Sequence, residues 1–178
     1  MRRSPLPASN GFSAIQFVRR IGSTSLPIRH GSNRSAFAPG LATSVRYQRA
    51  EPPLKLDGVA AARAFFGGCI AERDPTLECL WVAHLDAERN CLRLTDHPGD
   101  EAGTEFPLRS IIRDAAIHGS SAIILAHNHP SGDPTPSEAD KRATSLLACA
   151  AEAIDCRLLD HLVFGRGRST SFRELGLL

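Results

Sequence analysis

Apolar and polar positions change period several times along the chain, and their order predicts helices and strands in alternation. Between Leu56 and Arg73 apolar residues recur at roughly helical spacing, which predicts an amphipathic helix. Leu77 to Leu85 and Cys91 to Thr95 then read as two strands, joined as a hairpin by the polar turn of residues 86–90. Asp96 to Glu105 contains two glycines and a proline, so we expect a loop there.

The second half of the chain continues the alternation. Leu108 to His118 carries its apolar residues on one face and is predicted to be a helix. Ala122 to Ala126 is wholly apolar, as expected for a central strand that is covered on both faces. A helix is predicted from Ser137, placed to cap its free amides, to about Glu152. Arg157 to Phe164 and Ser169 to Ser171 are the last predicted strands, and the whole pattern indicates an α/β three-layer sandwich around one mixed sheet.

Residues 1–50 have a different composition from the rest of the chain. They contain eight arginines and no Asp or Glu, are rich in Ser, Gly and Pro, and show no sustained apolar period. We therefore predict a disordered tail over residues 1–53 and one folded domain over residues 54–178. The same composition fits a mitochondrial transit peptide, and a simple basic tail or a misassigned start codon would look identical.

The net charge of +2 conceals an acidic domain, because residues 51–178 hold 13 basic against 19 acidic residues. We do not expect that part to bind nucleic acid through a broad basic face, although the tail could bind polyanions non-specifically. Arg113, Arg166 and Arg168 either bind an acidic end of a substrate or are solvated surface charges, which is the interpretation we favour.

No apolar run is long enough for a membrane span. Five cysteines without C-x-x-C spacing favour free thiols and a cytoplasmic protein.

Two histidines directly after the predicted central strand are the strongest chemical feature. His127 and His129 are two residues apart, so their side chains project to the same side of an extended chain. Asp140 lies in the first turn of the next predicted helix, and a Pro- and Gly-rich loop can bring its carboxylate to the same point. Two imidazole nitrogens and a carboxylate oxygen are the ligands of a catalytic zinc site with one open position, so we expect one Zn²⁺ per chain. Asn128 and Ser131 either line this site or only shape its loop.

A zinc hydrolase also needs a group that moves protons. Glu78 stands at the start of an otherwise apolar strand, where partial burial beside a cation would suit that task. Glu72 is the competing carboxylate. A structural role also accounts for Asp140, as the acidic partner of Ser137 in a helix capping box, and that role competes with metal binding.

The remaining histidines lack such companions. His84, His97 and His118 are expected to be ordinary hydrogen-bonded or surface residues. Asp160 and His161 lie together on a later strand, where they either orient a metal ligand through a hydrogen bond or form a structural pair. Neither the H-x-E and P-C-x-x-C signature of zinc deaminases nor the H-E-x-x-H helix of zincins occurs in the sequence.

The segment from His127 to Asp140, HNHPSGDPTPSEAD, resembles the H-x-H-x7-S-x2-D motif of the JAMM (JAB/MPN-plus) metalloproteases. The sequence HNHPSG followed by P-S-x-A-D is similar to the motif of the bacterial RadC-type branch of that family. RSIIR at Arg109–Arg113 and LDHLVFG at Leu159–Gly165 share this similarity. The resemblance covers about Leu56 to Leu178, although the loop from Asp96 to Phe106 departs from the branch.

The resemblance implies a single-domain MPN/JAB-like three-layer sandwich of the cytidine-deaminase-like kind. It implies zinc on His127, His129 and Asp140, a Glu78 that polarises the attacking water, and a Ser137 that helps to stabilise the tetrahedral oxyanion. The implied activity is that of a zinc metallopeptidase or isopeptidase, which uses metal-activated water to cleave an amide bond in a protein or peptide.

Two other functions remain open from the sequence. A DNA-repair-associated accessory protein without peptidase activity is what the RadC name implies and what the arginine-rich tail allows. A metal-stabilised or degenerate interaction module is the third possibility, as in MPN proteins that have lost ligands, although every ligand of the motif is present here. The sequence indicates neither the substrate nor the oligomeric state.

Overall fold

A computed structural model describes residues 53–98 and 106–178, and the predicted tail lies outside these ranges except for its last residue. Three helices are present in them: α1 (Val59–Ala71), α2 (Leu108–Ile117) and α3 (Glu138–Glu152). Five strands accompany them: β1 (Cys79–Leu85), β2 (Cys91–Pro98), β3 (Ala122–Asn128), β4 (Arg157–Gly165) and β5 (Arg168–Ser171). None of these three helices has the length and apolar character that crossing a membrane requires.

The strands form one mixed sheet in the order β2-β1-β3-β4-β5. Neighbouring strands run antiparallel except β3 and β4, which are parallel and joined through α3. In the central strand β3 every residue is buried, as the wholly apolar sequence of its first five residues predicted. The prediction of one mixed sheet is therefore confirmed.

Helices cover both faces of this sheet. On one face α1 packs Phe66 against Trp81 of β1 and Ile124 of β3. On the other face Ile111 of α2 and Leu147 of α3 pack against further side chains of the same strands. The two cores and the sheet between them make the three layers that the sequence predicted, and removal of each large buried side chain from water contributes about 1.5–3 kcal/mol.

Strand β2 extends beyond its predicted end. Residues 96–98 were assigned to a loop, but they belong to β2, where Asp96 pairs with Trp81 and His97 with Leu80. Backbone hydrogen bonds to β1 outweigh the weak strand propensity of aspartate, because tertiary pairing commonly overrides local preference in sheets. The rest of that predicted loop, residues 99–105, lies outside the described residues.

The topology brings three chain segments to one edge of the sheet. β3 ends at Asn128, and the backbone N–H of His129 continues its ladder by donating to the carbonyl of Phe164 in β4 at 2.9 Å. Because β1 runs antiparallel to β3, the first residues of β1 lie beside the last residues of β3, with Leu80 opposite His127. The N-terminus of α3 reaches the same edge after the loop of residues 129–137.

Candidate metal centre

His127 and His129 meet at the end of β3. Their Nε2 atoms are 2.9 Å apart, which confirms that the two side chains project to the same side of the extended chain. His127 is only 3% exposed, so its ring nitrogens have little access to water. On the opposite side of the His129 ring, Nδ1 lies 2.7 Å from the backbone carbonyl of Asp133 and must donate to it, so Nε2 of a neutral His129 carries a lone pair.

Asp140 faces both histidines from the first turn of α3. Its Oδ1 lies 3.4 Å from Nε2 of His127, and its Oδ2 lies 3.4 Å from Nε2 of His129. Ser137 donates to Oδ2 through its backbone N–H at 2.7 Å and its hydroxyl at 2.6 Å, and accepts from the N–H of Asp140, which completes a capping box. The capping and metal-facing roles were expected to compete. In the structure the box engages Oδ2 and leaves Oδ1 without a hydrogen bond from the described residues, so one carboxylate satisfies both geometries.

Glu78 directly precedes β1, and one carboxylate oxygen lies within 4.8 Å of the nearest nitrogens of both histidines. Asn128 fixes the backbone on either side of it. The Asn128 Oδ1 accepts from the N–H of Cys79 at 3.0 Å, and its Nδ2 donates to the carbonyl of Leu77 at 2.9 Å. These contacts match neither of the two roles that the sequence left open for Asn128, because its amide holds the segment around Glu78 and not the loop after β3. Glu72, the competing carboxylate, ends α1 and does not join this cluster.

The electrostatics of the cluster favour cation binding. Burial holds the pKa of His127 below its usual range, which keeps the imidazole neutral. Desolvation alone would raise the pKa of Asp140, but the Ser137 hydrogen bonds and the two histidines outweigh it, so that pKa is lowered. Desolvation also raises the pKa of Glu78; His129 opposes this shift and Asp140 adds to it. A neutral His127 beside an ionised Asp140 has the protonation states that binding of a metal ion requires.

This donor set fits zinc. Two ligands that each lie about 2.0–2.1 Å from a tetrahedral ion are about 3.3 Å apart, close to the spacing of the converging atoms of His127, His129 and Asp140. Because Glu78 also lies near both histidines, either carboxylate can supply the third ligand. No cysteine of the described ranges takes part in the cluster. The assignment of His127, His129 and Asp140 as ligands, and of Glu78 and Ser137 as catalytic groups, stays a prediction.

A second layer of buried polar groups supports His127. Its Nδ1 lies 2.8 Å from Nε2 of His161, whose Nδ1 lies 2.7 Å from the hydroxyl of Thr144. Asp160 faces the other side of β4, where its carboxylate accepts from a hydroxyl of β5 at 2.6 Å. Of the predicted pair, His161 therefore contacts a candidate ligand, and Asp160 is structural. Sequence reasoning missed Thr144, although it stands one helical turn after Asp140 and so lies on the same face of α3.

The fold and the candidate site together define the class of this protein. A three-layer α/β domain that gathers two histidines and two carboxylates at one sheet edge has a JAMM-like hydrolase fold. Residues 58–177 match the family model of the RadC-like JAB domain, and the chain belongs to that family.

Individual relatives agree with the family assignment. The chain is 56% identical over 82 residues to a UPF0758 protein of Stenotrophomonas maltophilia (strain K279a), a match that covers 46% of this chain and 35% of the relative. It is 49% identical over 102 residues to a UPF0758 protein of Xanthomonas axonopodis pv. citri (strain 306), covering 57% of this chain and 45% of the relative. The matches thus span 35% and 45% of the length of these two relatives.

Proposed function

We propose that this chain is a zinc-dependent hydrolase that cleaves an amide bond in a protein or peptide, as a metallopeptidase or isopeptidase. The observation that supports the proposal is the convergence of His127, His129, Asp140 and Glu78 at one edge of the sheet. In the proposal, His127, His129 and Asp140 hold the ion, because Oδ1 of Asp140 is not engaged in the capping box. Glu78 is then left for proton transfer.

Bound zinc would supply a Lewis acid that polarises the scissile carbonyl and lowers the pKa of water to about 7. Glu78 accepts the proton of the attacking water on its carboxylate and delivers it to the leaving nitrogen. Burial raises the pKa of Glu78, so its carboxylate is a stronger base than an ordinary glutamate, which favours acceptance of that proton. Asn128 holds the backbone around Glu78 in place. Ser137 donates a hydrogen bond from its hydroxyl to the developing oxyanion, for which the hydroxyl turns away from Oδ2 of Asp140.

The proposal is tested by metal analysis and by cleavage of an internally quenched peptide library with the full chain. We expect one zinc per wild-type chain and loss of that zinc in His129→Ala. Glu78→Gln should keep the metal and lose activity by about 10²- to 10⁴-fold, the usual contribution of a positioned general base. Asp140→Asn should lower zinc affinity, since an amide oxygen carries no charge.

Each variant also has a result that contradicts its assignment. Undiminished turnover by Glu78→Gln refutes its role as the base. Loss of zinc from Glu78→Gln with retention in Asp140→Asn shows that Glu78, not Asp140, is the third ligand. Stoichiometric zinc in a wild-type chain that cleaves no peptide of the library contradicts the hydrolase proposal and favours a metal-stabilised interaction module.

A further inference from the structure

The structure assigns a positioning role to His161 and Thr144: together they fix the tautomer of His127, so that the lone pair of its Nε2, and not an N–H group, faces the candidate metal site. The inference deepens the proposed function and rests on it for the identity of His127 as a ligand. Neither His161 nor Thr144 lies among the converging ligand atoms, so both act through His127.

The chain of hydrogen bonds has a fixed direction because it ends on a backbone carbonyl. The carbonyl oxygen of Asp140 can only accept, and the hydroxyl of Thr144 lies 2.6 Å from it. The single hydroxyl proton of Thr144 is therefore used there, and its oxygen faces His161 as an acceptor. Nδ1 of His161, at 2.7 Å from that oxygen, must carry a hydrogen.

The proton position on His161 in turn fixes the proton position on His127. A neutral imidazole has one N–H, so with Nδ1 protonated the Nε2 of His161 is an acceptor. Nδ1 of His127 lies 2.8 Å from it and must donate. The remaining nitrogen of His127, Nε2, is left with its lone pair directed at the meeting point with His129. The carbonyl of Asp133 imposes the same tautomer on His129 through a single contact.

Burial keeps other hydrogen-bond partners away from His161 and Thr144, so their donor and acceptor roles stay as described. His161 is 1% exposed and Thr144 is 1% exposed, so bulk water does not compete for their polar atoms. The ring of His161 stacks on Phe172 with centroids 4.8 Å apart and an interplanar angle of 20°, which holds the ring plane. The nearest carboxylate in sequence, that of Asp160, already accepts hydrogen bonds from the hydroxyl of Ser171 in β5 and from two backbone N–H groups.

Two pairs of variants test the assignment in the full chain. Thr144→Val keeps the shape but removes the acceptor for Nδ1 of His161, whereas Thr144→Ser keeps the hydroxyl. His161→Leu removes both ring nitrogens, whereas His161→Gln offers an amide oxygen to His127 and an amide N–H to Thr144 at nearly the same spacing. Zinc affinity is measured by competition with a chelating dye, and the tautomer of His127 by ¹⁵N NMR of the metal-free chain labelled at histidine.

We expect Thr144→Val and His161→Leu to weaken zinc binding by about 10- to 100-fold, and Thr144→Ser and His161→Gln to stay within about 3-fold of wild type. Metal-free wild type should show His127 protonated at Nδ1, and Thr144→Val should shift it towards Nε2. An Nε2–H tautomer in wild type, or wild-type affinity in both disruptive variants, overturns the assignment. Because the tautomer is read without metal, a wild-type chain that binds no zinc contradicts the proposed function and leaves the assignment standing.

A separate observation concerns a cavity of about 650 Å³ beside His129. Its walls are one side of α1, the end of β4 and the turn that leads into β5. Apolar and small residues make up much of the lining, and arginines stand around it: Arg63, Arg73, Arg166 and Arg168. A cavity that adjoins a candidate ligand is where a substrate would lie.

Two of these arginines form no side-chain ion pair or hydrogen bond among the described residues. Arg63 pairs with Glu174 and Arg73 with Asp96, whereas the side chains of Arg166 and Arg168 form no such contact. The charge of Arg168 reaches Asp133 and helps to lower the pKa of that carboxyl, which leaves both guanidinium groups able to hydrogen-bond a ligand. Arg166 is held close to the candidate site, because a Cβ added at Gly132 would lie 2.3 Å from its Cγ. The tight turn through Arg166 and Gly167, both with positive φ, fixes where the two side chains start.

We propose that Arg166 and Arg168 bind a carboxylate of the peptide substrate, close to the bond that is cleaved. Unpaired guanidinium groups recognise carboxylates through charge-assisted hydrogen bonds. An acidic peptide suits the cavity better than nucleic acid, because residues 51–178 carry an excess of six acidic residues that repels an extended phosphate backbone. This proposal depends on the proposed function for the identity of the substrate and replaces the interpretation of these arginines as solvated charges.

The test uses zinc-loaded full chain carrying Glu78→Gln, so that bound peptide is not consumed. The probes are fluorescein-labelled decapeptides in pairs that differ by Glu or Gln at one position. In the pair whose varied position lies in the cavity, we expect the Glu peptide to bind about 10-fold more tightly than the Gln peptide. The double change Arg166→Gln and Arg168→Gln should remove most of that difference. Arg113→Gln, a control on α2 that removes an arginine outside the cavity lining, should not.

Three results overturn the cavity proposal. These are equal affinities for every Glu and Gln pair, an equal effect of Arg113→Gln, and tighter Arg166-dependent binding of a 20-nucleotide single-stranded DNA at moderate salt. The binding measurement does not need turnover. Charge-dependent peptide binding by a protein that cleaves nothing therefore contradicts the hydrolase proposal alone.

Discussion

Replacing Asn128 with alanine removes the amide that holds the backbone around Glu78. The substitution deletes one hydrogen bond of 3.0 Å from the N–H of Cys79 and one of 2.9 Å to the carbonyl of Leu77. Asn128 is 6% exposed, so water does not easily take its place. A buried backbone group left unpaired costs about 1–3 kcal/mol, and two such groups should lower the free energy of unfolding by about 2–6 kcal/mol.

The same change should separate catalysis from metal binding. Without the amide, the segment before β1 is free to move, and a displacement of about 1 Å in a reacting group costs on the order of 100-fold in rate. We therefore expect kcat to fall by about 10- to 100-fold. Zinc content should be retained, since Asn128 makes no hydrogen bond to either histidine.

Urea unfolding, metal analysis and kcat on a cleaved peptide measure the three effects. Asn90→Ala is the matched control, because Asn90 donates to Asp86 at 2.8 Å in the turn at the far end of β1. It should lose stability and keep kcat. If Asn128→Ala loses stability but turns over at the wild-type rate, its amide does not place Glu78, and the reasoning is refuted.

Three further predictions concern stability. Burial lowers the pKa of His84 to about 4, so below about pH 6.5 the unfolded chain takes up a proton that the folded chain accepts only near pH 4. Stability should therefore fall by up to roughly 3 kcal/mol over that range, and urea unfolding should show a weaker pH dependence in His84→Gln. Gly165→Ala would place a Cβ 2.5 Å from the backbone oxygen of Gly132, so we expect about 2 kcal/mol of destabilisation and weaker zinc binding. Gly67→Ala is the control: its added Cβ would have no contact under 3.8 Å, so the change should be neutral or stabilising by up to about 1 kcal/mol. Chelation of zinc present at about 100 times its Kd should remove about 3 kcal/mol of stability, and an unchanged Tm would contradict metal binding to the folded chain.

The sequence predicts those parts of the fold that depend on local pattern. The apolar run of β3 and the serine before α3 give a central strand and a helix start, because burial and capping act over a few residues. Asp96 was misassigned because its place in β2 depends on pairing with Trp81, fifteen positions earlier in the chain. Pairing of that kind is decided by the assembled sheet, and the sequence of the strand itself does not show it.

The same distinction applies to the candidate site. The motif from His127 to Asp140 names the converging groups because their spacing is fixed along one segment. The hydrogen bonds of Asn128 with Leu77 and Cys79 require β1 to lie beside β3, and a motif within one segment cannot show that pairing. The contact of Thr144 with His161 needs α3 to pack over β4. Supporting residues that come from other elements were therefore missed or left undecided.

These supports act on orientation and leave the identity of the ligands unchanged. The carbonyl of Asp133 orients His129, the capping box of Ser137 orients Asp140, and Asn128 holds Glu78 from the neighbouring strand. Each contact is made by groups that do not themselves converge on the candidate ion. The converging atoms are thus held in place by the fold before any ion binds, and binding need not supply the free energy to order them. It follows that changing a support should weaken binding or slow turnover by a limited factor, whereas changing His127 or His129 should remove the metal outright.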